Sequence, residues 1–91
     1  MSRVQVLLWG DIPSVVKAYG DDGTTVSRQL DPWFQQEIDR EAMRLGLTGS
    51  DAYLEQWRWG DEEERTGTPE ELLDAVEGEL NAAFESRRRR L

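Results

Sequence analysis

The chain has 91 residues, 37% hydrophobic and 33% charged, with a net charge of −8. That length suits one domain around one core and leaves little room for a cavity enclosing a large cofactor. With no His and no Cys, the chain lacks members for a Ser-His-Asp triad, a Cys nucleophile, a disulfide framework or a typical zinc site.

The charge is unevenly spread. Four of the eleven basic residues form the run Arg87 to Arg90. Setting those four aside leaves 7 basic and 19 acidic side chains over residues 1–86, a net of −12. Such a body repels nucleic acid and anionic membrane, since phosphate binding needs a concentrated positive face. Trp9, Trp33, Trp57 and Trp59 argue against disorder, because disordered chains are poor in aromatics. Each Trp can bury on the order of 200 Å².

In chain order, Val4, Val6 and Leu8 alternate with Gln5 and Leu7, which predicts a first strand. Gly10, Asp11 and Pro13 break that pattern. Val15 to Tyr19 predict a second strand and Thr24 to Val26 a third. Between them, Gly20-Asp21-Asp22-Gly23 supplies residues that tolerate positive φ, a hairpin signature. Asp31 then caps a first helix, with Pro32 at a position where its missing N–H costs nothing. Phe34, Ile38, Ala42 and Leu45 fall on one apolar face. Glu37 with Arg40, and Glu41 with Arg44, make i,i+3 pairs on the wet side. Gly46 is the expected stop.

Ser50 or Thr48 caps a short second helix to about Gln56, with Tyr53, Leu54 and Trp57 facing inward. The alternation Gln56-Trp57-Arg58-Trp59-Gly60 predicts a fourth strand carrying both Trp on one face. Asp61 to Thr66 reads as an exposed acidic loop. Thr68, Pro69 and Glu71 form a capping-box start for the last helix. Its stripe is Leu72, Leu73, Val76, Leu80, Ala83 and Phe84, weakened at Gly78. The arginines are expected to close that helix, where the dipole favours cations.

The expectation is a single α+β domain over residues 1–91, in the order β-β-β-α-α-β-α, with a small, mainly antiparallel sheet packed against helices. Its core spans about 4–84 and residues 85–91 are a basic tail. The only apolar run near the start, Val6 to Trp9, is too short for a secretory h-region or a membrane span. The expected compartment is the cytoplasm, with no membrane and no nucleic acid as partner.

Candidate chemistry is sparse. Gly20 to Gly23 match neither nucleotide fingerprint. Nothing after Asp21 supplies the spaced ligands of an EF-hand. Asp61-Glu62-Glu63-Glu64 could hold Ca²⁺ or Mg²⁺ weakly, weighed against a solvated loop; the run is contiguous, whereas real sites gather ligands from convergent positions, so no metal site and no cofactor are expected. Asp11 is the best-placed lone carboxylate for acid/base work, weighed against a plain turn-capping role. Trp57-Arg58-Trp59 has two readings, a binding face, since Trp and Arg are enriched in hot spots, or core packing. Trp57 reads as core; Trp59, bordering the charged loop, stays open between the two. The Arg87 to Arg90 run reads as a helix end complementing the dipole rather than a nucleic-acid contact.

Val6-Leu7-Leu8-Trp9-Gly10-Asp11-Ile12-Pro13 resembles the opening strand and W-x-D-I-P turn of a small bacterial family labelled "virulence factor". Phe34-Gln35-Gln36-Glu37-Ile38-Asp39, Ala42-Met43, Gly49-Ser50-Asp51-Ala52-Tyr53-Leu54 and Trp57 resemble its central block. The resemblance covers residues 4–84. It implies a unit that occurs alone or appended to helical-repeat proteins, and it implies no reaction and no catalytic residues. Two functions from different classes follow. One is a non-catalytic protein-interaction module using Trp59, Arg58 and Asp11 toward an unknown protein partner. The other is an accessory subunit or domain of an enzyme, contributing a carboxylate.

Overall fold

In a computed structural model, which describes residues 1–89, the chain forms an antiparallel sheet of five strands with helices packed on it, an α+β fold. The strands are β1 (Ser2–Trp9), β2 (Ile12–Tyr19), β3 (Thr25–Gln29), β4 (Trp57–Trp59) and β5 (Glu63–Arg65). The helices are α1 (Pro32–Arg44), α2 (Asp51–Glu55), α3 (Pro69–Ala83) and α4 (Glu85–Arg88). The sheet runs β3-β2-β1-β4, with β5 also paired to β1.

The first break in the sequence is a two-residue turn. Gly10 has φ 60° and stands between the paired Trp9 and Ile12, which suits the first position of a type II′ hairpin turn. The second strand therefore begins at Ile12, earlier than the expected Val15. Pro13 fits inside it because the ladder is irregular there. Leu7 pairs with Val15 and Leu8 with Pro13, so Ser14 is an extra residue in β2. Bulges are where a strand tolerates proline. The bulged Ser14 is not idle: its carbonyl accepts a 3.0 Å hydrogen bond from Leu30 N–H, where the chain leaves β3 for α1.

Both main helices start as their residues demand. The Asp31 carboxylate accepts from Trp33 N–H at 2.9 Å, with Pro32 in the first helical position. At α3 the full capping box forms: Glu71 N–H donates to Thr68 Oγ1 at 3.2 Å, and Thr68 N–H donates to Glu71 Oε1 at 2.9 Å. Val4, Val16 and Ala18 of the sheet join Phe34, Ile38 and Ala42 of α1 and Leu72, Leu73 and Val76 of α3 in the buried core, together with Trp9, Ile12, Leu30 and Trp33. Ser50 caps α2 by accepting from Tyr53 N–H.

Several expectations are corrected. Residues 63–65 are a strand and not a loop, because β4 occupies only the Leu7–Trp9 part of β1's outer edge and Ser2–Val4 remains free to pair. The third strand runs on to Gln29. Leu45, Leu54 and Ala83 face solvent: Leu45 is already the C-cap of α1, and α2 is too short to bury more than one side. The last helix does not continue into the arginines. It ends at Phe84, whose ring sits 5.5 Å from Phe34 and 6.4 Å from Trp33 between centroids, and α4 follows as a separate turn. That break lets the tail fold back on α1. Arg87 pairs with Glu37, and Arg88 lies 5.2 Å over the Trp33 ring. Arg90, the last of the run, lies outside the described residues.

The capping box gives two expected outcomes. Thr68→Ala should cost about 1 kcal/mol, read as a lower urea midpoint with an unchanged slope. The Thr68 backbone N–H and then its hydroxyl hold the Glu71 carboxyl below its ordinary pKa. A folded pKa that is depressed means stability present above the unfolded carboxylate value and lost as pH falls through the folded one. Glu71→Gln should therefore lower the urea midpoint at neutral pH, and that difference should narrow as the medium is acidified below about pH 4.

Candidate interaction face

Antiparallel pairing sorts side chains by parity. Val4 and Val6 lie opposite Ala18 and Val16; this is the side packed by α3, which contacts β1, β2 and β3. Arg3, Gln5 and Leu7, opposite Tyr19, Lys17 and Val15, therefore point to the other side. β3 continues the rule. Val26 packs on the core, and Arg28 reaches Asp74 and Glu77 of α3 at 2.5 and 3.2 Å, whereas Thr25, Ser27 and Gln29 are exposed. On the opposite flank of β1, Trp59 pairs with Leu7 and Trp57 with Trp9. Both Trp of β4 thus share the face that α3 leaves uncovered.

The two Trp meet different surroundings. Trp57 packs on Tyr53 of α2, 6.4 Å between centroids at 85°, and Tyr53 in turn lies 5.5 Å from Trp9. Trp9 is 2% exposed, and its Nε1–H donates to the Tyr53 carbonyl at 2.9 Å. α2 thereby closes one end of the face. It stops at Glu55, one turn in length, and Trp59 remains 45% exposed.

The open part of the face has a defined chemistry. Leu7 and Val15 are half-buried and lie on the strands next to Trp59. Lys17 Nζ stands 5.6 Å over the Trp59 ring and 5.3 Å over the Tyr19 ring, and the Arg3 guanidinium lies 5.7 Å over Tyr19. Tyr19 Oη–H donates to Gln5 Oε1 at 3.2 Å, and Gln5 Nε2–H donates to the Gly60 carbonyl at 2.9 Å. This chain of polar contacts ties β2 through β1 to the end of β4 and fixes the platform on which Trp59 sits.

The sequence-predicted residues do not converge. Arg58 pairs with Leu8, so it points to the sheet side opposite Trp59; it is exposed and has no ion pair among the described residues. Asp11 is exposed on the β1–β2 turn, beyond Trp9. The cation beside Trp59 is Lys17, the one lysine in the chain. Its signal was present in the alternation of the second strand, where Lys17 and Tyr19 share parity with Val15, but only pairing across β1 puts them next to Trp59.

Most other cations are paired. Arg65 lies against Glu79 and Glu63; their hydrogen bonds push its pKa up, and Arg65 holds Glu79 below its usual value. Arg87, Arg88 and Arg89 pair with Glu37, Asp31 and Glu85. Among the described residues no group of three or more acidic side chains is arranged to hold a metal ion. A second depression, between α1 and α2, is lined mainly by Ala42, Met43, Gly49 and Tyr53 with Asp39 and Thr48 at its edge. It gathers no set of converging polar groups.

The chain matches the family described as "Virulence factor" over residues 7–91. The chain belongs to that family. The match covers nearly the whole length, including every strand from the hairpin onward and all the helices, and it associates this domain with virulence. No curated protein and no solved structure matches this virulence-factor domain. No helix among its described residues is long and apolar enough to cross a membrane.

Trp57→Ala should cost about 3 kcal/mol, because it strips the cover from Tyr53 and Trp9. Trp59→Ala should cost about 1 kcal/mol, since nearly half of that side chain is already in water. Parallel urea melts of the two variants check the ranking; equal losses would place Trp59 in the core.

Proposed function

We propose that this virulence-factor domain is a non-catalytic protein-interaction module that docks its partner on the open sheet face around Trp59. The observation that carries the reading is the exposure of Trp59 on a rigid strand, 45% open beside the half-buried Leu7 and Val15. A solvent-exposed tryptophan in an apolar patch with a polar rim has the composition of an interface anchor. The platform beneath it is held by the Tyr19–Gln5–Gly60 hydrogen bonds, so little ordering would be required on binding.

The competing reading, an accessory enzyme domain that contributes the Asp11 carboxylate, draws no comparable support. Asp11 projects from an exposed turn and takes no part in lining the depression between α1 and α2. The compartment we assign is the cytoplasm, in keeping with the absence of Cys.

The test is purification of the native complex with tagged wild type and with Trp59→Ala. A partner that co-purifies with wild type and is depleted about tenfold or more by Trp59→Ala, the loss expected of a hot-spot residue, supports the module. A partner retained equally by both removes Trp59 from the interface.

A further inference from the structure

The uncovered face differs in charge from the rest of the molecule. The chain carries 19 acidic side chains, yet the residues that β1 to β4 contribute to this face include no carboxylate. They are Arg3, Gln5 and Leu7 of β1, Val15, Lys17 and Tyr19 of β2, Thr25, Ser27 and Gln29 of β3, and Trp57 and Trp59 of β4, with Trp9 under α2. Acids enter only at the β5 end, where Glu64 pairs with Arg3 and Glu62 reaches it from the preceding loop.

The cations on this face are weakly neutralised or unpaired, a condition shared on the opposite side of the sheet by Arg58. Arg28, Arg40, Arg44, Arg65 and Arg87 each have a carboxylate partner within 3.2 Å. Arg3 reaches Glu62 only at 3.6 Å, between two half-exposed side chains, an arrangement of little energetic value. Lys17 has no carboxylate within 4.0 Å among the described residues. Its ammonium instead lies over two aromatic rings, Tyr19 and Trp59. A cation held over aromatic faces keeps its charge available to an incoming anion, because a neutral ring attracts it through its quadrupole without cancelling the charge.

From this charge complementarity we propose that the partner segment docking on this face is an acidic, apolar polypeptide, with a large hydrophobic side chain set against Trp59, Leu7 and Val15 and a carboxylate meeting Lys17. The proposal rests on the docking reading above and names the partner's chemistry. Placing an anion over Lys17 answers the one cation of the face that the fold leaves without a counter-charge. The net negative charge of the whole domain sets a long-range repulsion against acidic partners. Binding therefore depends on short-range contact at this face, and the local attraction must exceed that repulsion. A nucleic acid, with a charge on every nucleotide, would meet the repulsion along its whole length.

The test uses the full chain. Peptides are selected from a random 16-residue display library on wild type, with Trp59→Ala as counter-selection, then synthesised and titrated by fluorescence anisotropy. The expected selection is enriched in Asp and Glu next to Trp, Phe or Leu. Lys17→Gln should weaken the best peptide about threefold and Lys17→Glu about tenfold or more, the size of one or two exposed charge contacts, with thermal melts of both variants close to wild type. Enriched peptides that are neutral or basic, or that bind Lys17→Glu as well as wild type, overturn the acidic partner and leave the docking face standing. A library that yields nothing preferring wild type to Trp59→Ala overturns both. Tighter binding of an oligo-deoxythymidylate probe than of any selected peptide, or a sedimentation dimer abolished by Trp59→Ala, overturns the acidic peptide in favour of a nucleic acid or a second copy of this chain.

Discussion

The strand Ser2–Trp9 carries ladders on both of its edges, and the rest of the structure is organised by how those edges are filled. One edge is taken along its length by β2, with a single register shift at Leu7 and Leu8. The other is divided, with Trp57–Trp59 pairing at its Leu7–Trp9 end and Glu63–Arg65 at its Ser2–Val4 end. Gly60 continues the first of these segments by donating its N–H to the Val6 carbonyl at 2.8 Å. A buried backbone row of this kind has to find partners. Here the partners come from stretches 48 to 63 residues further along the chain, which is why residues as polar as Glu63, Glu64 and Arg65 are in a strand at all.

The shift in the β1–β2 register has consequences on both sides of the sheet. The extra residue, Ser14, presents the carbonyl that receives Leu30 as the chain turns toward α1. α1 then lies where its Phe34 can meet Phe84 from the end of α3. Helix packing thus concentrates on one side of the sheet and around the Gly10 turn. On the other side, only α2 is available, and one helical turn covers Trp57 through Tyr53 without reaching Trp59. The exposed tryptophan follows from the shortness of α2 and not from a shortage of apolar residues in the chain.

The same geometry separates the charges. Acidic residues of α3 face Arg28 and Arg65 across the sheet edges, and acids of α1 face Arg87. Among the described tail arginines, Arg87 and Arg88 reach back to Glu37 and Asp31 of the α1 region and Arg89 pairs with Glu85 within α4, so these three side chains of a run that looks like a polyanion-binding tail already have carboxylate partners. On the part of the sheet that α2 leaves open, Lys17 keeps its charge among Tyr19, Trp59 and Leu7, while the other unpaired cation among the described residues, Arg58, lies on the opposite side. That separation is the physical basis for treating the face as an interaction surface.

Local rules were sufficient for much of the fold. The caps at Asp31 and Thr68, the Pro positions after them, the alternation of Val4 and Val6, and the helical spacing of Phe34, Ile38 and Ala42 each depend on residues within a few positions of one another, so the sequence by itself determined them; at α2 it left the cap open between Thr48 and Ser50. Three things needed the tertiary structure. Residues 63–65 have no apolar alternation, and only the free edge of β1 makes them a strand. The end of α3 at Phe84 reflects an aromatic contact with α1 that no local propensity encodes. The neighbour of Trp59 is Lys17, forty-two positions away, and not the adjacent Arg58, because side chains alternate along a strand while pairing brings distant residues of equal parity to one face.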